Sequence, residues 1–209
     1  MLTVTLADLR MRARQFAIAV VGATLVFAMA LVMAGLAGGF RAEAGRTVAA
    51  VGADGFVVRT GAGGPFTSPA DLDQRMLAAV RRLPGVTAAD PLIVQPSETV
   101  RAGGEDVYGH LIGVRPGGLG APVAQEGRGL RRPGDAVVDV LTQLRLGSTF
   151  SLGPRRFTVV GRVKGMTYLA GTPSIYVTLH DAREVAFAGR PDMTSIAVRG
   201  RPGAMPAGL

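Results

Sequence analysis

Two histidines, one pair of acids and three serines are the side chains in this sequence whose types could do chemistry. His110 and His180 lie far apart in the chain, with no cluster of further ligands around either. Coordination of a metal takes three or four converging nitrogen, sulfur or oxygen donors, so the spacing does not indicate a metal site. Asp135 and Asp139 are four apart. On one helix they would share a face and could divide acid and base roles, but they straddle a switch from strand to helix, so no shared face follows. Ser68, Ser97 and Ser174 lack the glycine-flanked elbow that presents a nucleophile. A triad would need the fold to carry His110 or His180 to one of them. There is no Gly-x-x-x-x-Gly-Lys-Ser/Thr phosphate loop, so any ATP in the chain's working cycle is bound by another subunit. The chain has no cysteine, which excludes disulfides without deciding the compartment. No catalytic, cofactor-binding or metal-binding residue is assigned, and the chain is not read as an enzyme.

The elements that would position such groups are short. Phe56, Val57 and Val58 form an apolar run between glycines, read as a strand. "TSPADLDQRMLAAVRRLPGV" reads as a helix, with Ser68 as N-cap and Pro69 in the first turn. Its apolar stripe is Leu72, Met76, Ala79, Val80 and Leu83, and Pro84-Gly85 stops it. "VTAADPLIV" returns as a strand. "SETVRAGGEDVYGHLIGV" is a hairpin turning at Gly103-Gly104. Ala136 to Val138 is a strand, followed by a short helix through Val140, Leu141 and Leu144 with Gly147 as its C-cap. "STFSLGPRRFTVVGRVK" is a hairpin turning at Gly153-Pro154, with Phe157, Val159 and Val163 on alternate positions. Ser174 to Leu179 is a strand leading into a helix from Asp181, and "TSIAVRG" is the last strand. The fold class is therefore α+β, a mixed and mainly antiparallel domain with one core.

Ahead of that domain stand 25 uncharged residues, Phe16 to Phe40. A helix of that length spans about 37 Å, enough to cross a hydrocarbon core of about 30 Å. The apolar run is longer than the ~7–15 residues of an export signal, which argues for a retained transmembrane helix over a cleaved leader. Arg10, Arg12 and Arg14 precede it, and the positive-inside rule places the N-terminus in the cytoplasm. Leu2, Leu6, Leu9 and Ala13 share one helix face, so residues 1–15 read as a cytoplasmic amphipathic segment on the inner membrane surface. Small residues four apart, such as Ala19 and Ala23 or Gly35 and Gly39, suit close packing against another helix in lipid. The division is thus 1–15 cytoplasmic, 16–40 transmembrane and 41–209 extracytoplasmic. Residues 41–209 carry 20 basic and 14 acidic groups, the bases dispersed and almost all arginine. With few aromatics between them this does not describe a nucleic-acid surface, while a mild attraction to membrane lipid fits.

The order of these pieces resembles the permease subunits of MacB/FtsX-type ABC transporters. The residues that carry the resemblance are the first membrane helix, "VGADGFVV" as a strand after it, "LPGV" after the first outer helix, "VVDVLTQLRLGSTFSLGPRRFTVVGRVKG", and "SIYVTLHDARE" as a strand-then-helix element. The resemblance implies a MacB-like periplasmic core domain set between a first helix and three later ones. It implies a separate ABC ATPase subunit that binds the ATP, a permease dimer, and relay of ATPase closure to the outer domain, which acts on a lipid, lipoprotein, peptide or partner. No second apolar stretch of spanning length occurs in the 209 residues, so the expected state is a permease truncated before its later helices. The alternative is a single-span, membrane-anchored binding domain that works without an ATPase.

Overall fold

The computed structural model describes residues 13–66, 70–102, 105–168 and 171–201. It divides into two compact units, Met1–Ala42 and Glu43–Leu209. The expected amphipathic segment lies outside the described residues except for Ala13 to Gln15, which open the first helix.

Helix α1 runs Ala13–Val51. Its stretch Ala13–Gly39 contains an 18-residue window of mean hydropathy 2.6, so by length and composition it can cross a membrane. Large apolar side chains along it are exposed, Leu31 and Phe27 among them. The one hydroxyl in the apolar run, on Thr24, donates to the Val20 carbonyl at 2.8 Å and so hides its proton from lipid. The helix does not stop where the apolar run stops. "RAEAGRTVAAV" continues it to Val51, because four alanines among its eleven residues favour helix and no proline interrupts.

The second unit is built on ten strands: β1 Gly55–Val57, β2 Val86–Ala102, β3 Glu105–Val114, β4 Glu126–Gly127, β5 Asp135–Asp139, β6 Thr149–Leu152, β7 Arg155–Val163, β8 Thr167–Tyr168, β9 Thr172–Thr178 and β10 Ser195–Gly200. Helix α2, Arg75–Arg81, precedes β2, and helix α3, Leu179–Phe187, follows β9. The main path runs β1-β10-β2-β3-β9-β5-β7-β4, with β6 pairing both β2 and β7. The strands β2, β3, β9, β5, β7 and β6 consequently close a ring, sealed by the pair Arg101 and Ser151. All pairings are antiparallel except β3 with β9 and β5 with β7, which makes the sheet mixed and mainly antiparallel.

Alternation along the strands sends apolar side chains to two separate layers. One holds Val100, Leu111, Val138, Phe150, Phe157 and Ile175, with Phe150 stacked on Phe157 at 5.4 Å, and continues beneath α2 and α3 through Val80, Ala182 and Phe187. The other holds Leu92, Ile112, Val114, Val137, Val163 and Tyr176, with Val51 and Phe56 packed against it.

Local expectations hold where turn chemistry decides and shift where tertiary contacts compete. The hairpin at Gly153-Pro154 forms, with Gly153 at φ 55°. β2 and β3 pair out to Ala102 and Glu105; the expected turn residues Gly103-Gly104 lie outside the described residues. The helix expected from Ser68 is only Arg75–Arg81, and Ser68 and Pro69 lie outside the described residues. Leu72 is not helical: its backbone exchanges hydrogen bonds with Met193 at 2.7 and 3.1 Å. Asp73 instead receives the Arg75 N–H at 2.7 Å and starts the helix. Met76 is exposed and Leu77 packs inward in its place. The two strands expected on either side of Pro96 are one strand, β2, with a register shift at Pro96-Ser97, since proline has no N–H to lend to a ladder. The helix expected at 140–144 is a single 3₁₀ turn, Val140–Thr142, ended by Gln143 in the left-handed region at φ 60°. Gly147 is therefore no helix cap. Its N–H donates to the Val159 carbonyl at 2.8 Å and launches the next hairpin. α3 starts at Leu179, two residues earlier than expected, because the Thr178 hydroxyl accepts the Asp181 N–H.

Candidate functional site

The fold collects the expected chemical groups and buries them. His110 on β3 and Ser174 on β9 are register partners across the parallel seam. Both are enclosed. A nucleophile must be reached by its substrate, so this pair is packing and not a catalytic dyad. Burial holds the His110 imidazole below its usual pKa. His180 sits apart, in the first turn of α3. Ser97 is at the irregularity in β2, and Ser68 lies outside the described residues.

Asp135 and Asp139 take the two ends of β5. Asp135 receives two hydrogen bonds from Arg128, at 2.6 and 2.9 Å, and the N–H groups of Arg131 and Arg132. Burial alone pushes its carboxyl pKa up, but those four donors and the Arg128 charge outweigh it and hold it below the usual range. Asp139 accepts from Leu141 and Met166 N–H, both at 2.9 Å. Asp181 accepts from the Gly134 N–H and the Thr178 hydroxyl and pairs with Arg155. Each carboxylate is engaged by donors that tie two segments together, which makes it a structural clasp.

A different place has the geometry of a working part: the junction where α1 ends on the sheet. Gly52 follows α1 at φ 65°, the left-handed step that closes a helix, and a side chain there would meet Arg199 Nη2 at 2.9 Å. The terminal carbonyls of a helix carry partial negative charge and need donors. Val51 O receives the Gly120 N–H at 2.8 Å. Gly52 O receives Arg199 Nε at 3.0 Å and Nη2 at 2.6 Å. Asp54 then zips the chain onto β10: its N–H donates to Val198 O at 2.8 Å, and its carboxylate accepts the Gly200 N–H at 2.9 Å. β1 pairs with β10 immediately after.

The loop that supplies Gly120 is itself held by a buried acid. Asp90 on β2 accepts the Leu119 N–H at 2.8 Å and Arg115 Nη2 at 3.1 Å on Oδ2. Arg115 Nη2 also lies 2.8 Å from Oδ1, and Arg81 Nη2 stands 3.6 Å from that oxygen. Between the loop, the helix end and β10 is a cleft of about 360 Å³. The end of α1, the 115–121 loop, β2 and β10 thus meet around one arginine. Of these residues the sequence signals only Gly52, as a glycine after an alanine-rich run. Arg199, Asp90, Arg115 and Gly120 come from distant parts of the chain.

An apolar helix long enough to cross a membrane, followed in the chain by a mixed-sheet domain, is the pattern of a membrane protein with a globular module. Residues 16–209 match the family model described as the MacB-like periplasmic core domain, and the chain belongs to that family. Two uncharacterized ABC transporter permeases of Mycobacterium tuberculosis are 39% and 37% identical over 208 residues, covering 100% of this chain. The chain spans 59% of the length of these relatives. Among solved structures, the periplasmic region of MacB from Actinobacillus actinomycetemcomitans aligns over 73% of this chain and 75% of its own with a TM-score of 0.52 at 16% identity. The extracellular domain of the noncanonic ABC-type transporter YknZ from Gram-positive bacteria aligns over 64% of this chain and 75% of its own, with a TM-score of 0.50 at 19% identity. At these identities the structural matches speak for the fold alone.

Proposed function

We propose that this chain is the first helix and outer domain of an ABC permease, and that it relays an ATPase's conformational change across the membrane to the outer domain. In this reading residues 1–15 are cytoplasmic, 16–40 span the bilayer and 41–209 are extracytoplasmic. The ATP is bound by a separate subunit, and the permease works as a dimer. The observation that carries the reading is the way α1 ends. One helix runs from the apolar stretch to Val51, and its last carbonyls are gripped by Gly120 and Arg199 rather than left to solvent. A helix hinged to its domain by a free loop would dissipate a push. A helix whose end is hydrogen-bonded to two separate segments of the domain delivers it.

The chemistry required of this chain is mechanical. Two hydrogen bonds from a guanidinium to one carbonyl, near the negative end of a helix dipole, form a charge-assisted clasp. Gly52 gives the clasp room, since a side chain there would meet the guanidinium.

The test is a spin-label distance measurement on the complex with its partner ATPase in lipid nanodiscs, one label at Gly63 on the outer domain and its counterpart on the other protomer. The distance is expected to differ between the ADP-bound and ATP-trapped states. Arg199→Ala should abolish that difference while ATP hydrolysis continues. An unchanged nucleotide-dependent difference in Arg199→Ala would refute the relay through this clasp.

A further inference from the structure

We infer that the cleft at the junction is a binding site for a phosphate-bearing group, taken up between Arg115 and Arg199. The inference rests on the junction being the working site of the outer domain and needs no property of the ATPase.

Two arginines, Arg115 and Arg199, line the cleft together with one carboxylate, Asp90. Asp90 is buried, and its Oδ2 is engaged by the Leu119 N–H and by Arg115. Arg81 contributes a second positive charge at 3.6 Å. Arg199 has no carboxylate partner among the described residues. It spends Nε and Nη2 on the carbonyl of Gly52 and lines the cleft. A guanidinium carries five donors in a rigid fork. Arg199 and Arg115 each engage acceptors through only part of that fork, and both are exposed on the cleft side.

A glycine lets the loop approach the acid closely: a Cβ at Gly118 would sit 2.7 Å from Asp90 Oδ2. The volume of about 360 Å³ exceeds what one oxyanion needs and leaves room for the group it is attached to. Guanidinium forks bind oxyanions such as phosphate by paired charge-assisted hydrogen bonds. A phosphate seated there touches Arg199, which also holds Gly52 O. Occupancy of the cleft and the position of the helix end are therefore linked.

Such a group could be a lipid headgroup or a soluble phosphomonoester, and the experiment separates them. The 209-residue chain is placed in phosphatidylcholine nanodiscs and titrated with inorganic phosphate while the amide resonances of Gly118, Leu119 and Gly120 are followed. Saturable shifts confined to the cleft are expected, with a dissociation constant on the order of 1–10 mM for so small a probe. Arg115→Gln and Arg199→Gln should each weaken binding about tenfold, the loss of one charge-assisted hydrogen bond. Ala121→Glu places a carboxylate in the lining of the cleft and should weaken it at least as much, with the resonances of β5 and β7 unmoved as the check on folding. In phosphatidylglycerol nanodiscs, shifts at the same amides without added phosphate assign a headgroup. Their absence there, with phosphate binding retained, assigns a soluble phosphate. No saturable shift in either lipid, or equal shifts at arginines remote from the cleft, overturns the site. Loss of binding with the nucleotide-dependent distance change intact would sink this inference alone. The reverse would sink the relay alone.

Discussion

Gly113 lies where α3 crosses β3, and substituting it gives a sharp test of the packing that holds the outer domain together. A Cβ built on Gly113 would fall far inside contact distance of the Ala182 methyl carbon and 3.2 Å from Ile93 Cβ. Carbons pack at about 3.5–4.0 Å, so α3 would have to retreat by on the order of 1.5 Å. It cannot slide freely. Its first turn is pinned by Asp181, which accepts the Gly134 N–H at 2.9 Å and pairs with Arg155. Overpacking of this kind costs about 1–3 kcal/mol, and the pinned helix places Gly113→Ala near about 3. The reciprocal change, Ala182→Gly, removes a buried methyl worth about 0.8 kcal/mol and adds a helix-propensity cost of about 1. In the double variant the methyl has moved across the interface and the clash is gone. It should lie within about 1 kcal/mol of the parent, more stable than either single variant, a coupling of roughly 4 kcal/mol. The assay is guanidinium unfolding of the full chain in detergent. The protein has no tryptophan, so the buried Tyr176 supplies a fluorescence signal. Additive losses in the double variant would refute the proposed contact between α3 and β3.

Further outcomes follow from the electrostatics and the topology. The Asp135 carboxyl is held below its unfolded pKa by Arg128 and two N–H groups. The stability it contributes is present above the unfolded value and is lost as pH falls through the folded one. Asp135→Asn should flatten the acid limb of the stability–pH curve below about pH 4, and an unchanged limb would count against the clasp. The buried His110 has a lowered folded pKa, so the unfolded chain takes up its proton first and stability falls as pH drops below about 6.5. His110→Gln should remove that slope below about pH 6.5, as read by thermal melts at stepped pH. Finally, a cysteine at the exposed Gly63 should react with an impermeant thiol reagent on intact cells. Labelling seen only after lysis would reverse the proposed orientation.

How much of this was legible beforehand depends on how local the cause is. The hairpin at Gly153-Pro154 needs only its own two residues, and the strand β5 needs only its apolar run, so both could be read directly. Leu72 could not. Its helical spacing with Met76 and Val80 is real, but a bridge to Met193, 121 positions later, outcompetes it. Gly147 carries the mark of a helix cap, yet Gln143 takes the left-handed turn first because the segment closes as one 3₁₀ turn. Of the residues weighed as chemical, Ser174 and His110 were brought side by side, a pairing no spacing announces, and were sealed from solvent in the same step.

The sequence by itself determined that a helix of uncharged residues stands ahead of an α+β domain, and which family that order resembles. Hydrophobic run length and turn chemistry are properties of neighbouring residues, and the physics that reads them acts over a few positions. Only the tertiary structure decided how that helix ends. Arg199 reaches Gly52 across 147 positions of chain, and Asp90 fixes the loop of Gly120 from another strand. Such contacts exist because the sheet brings β2, β10 and the helix end to one place. Charge satisfaction at that point is decided by position in space, which no local pattern along the chain encodes.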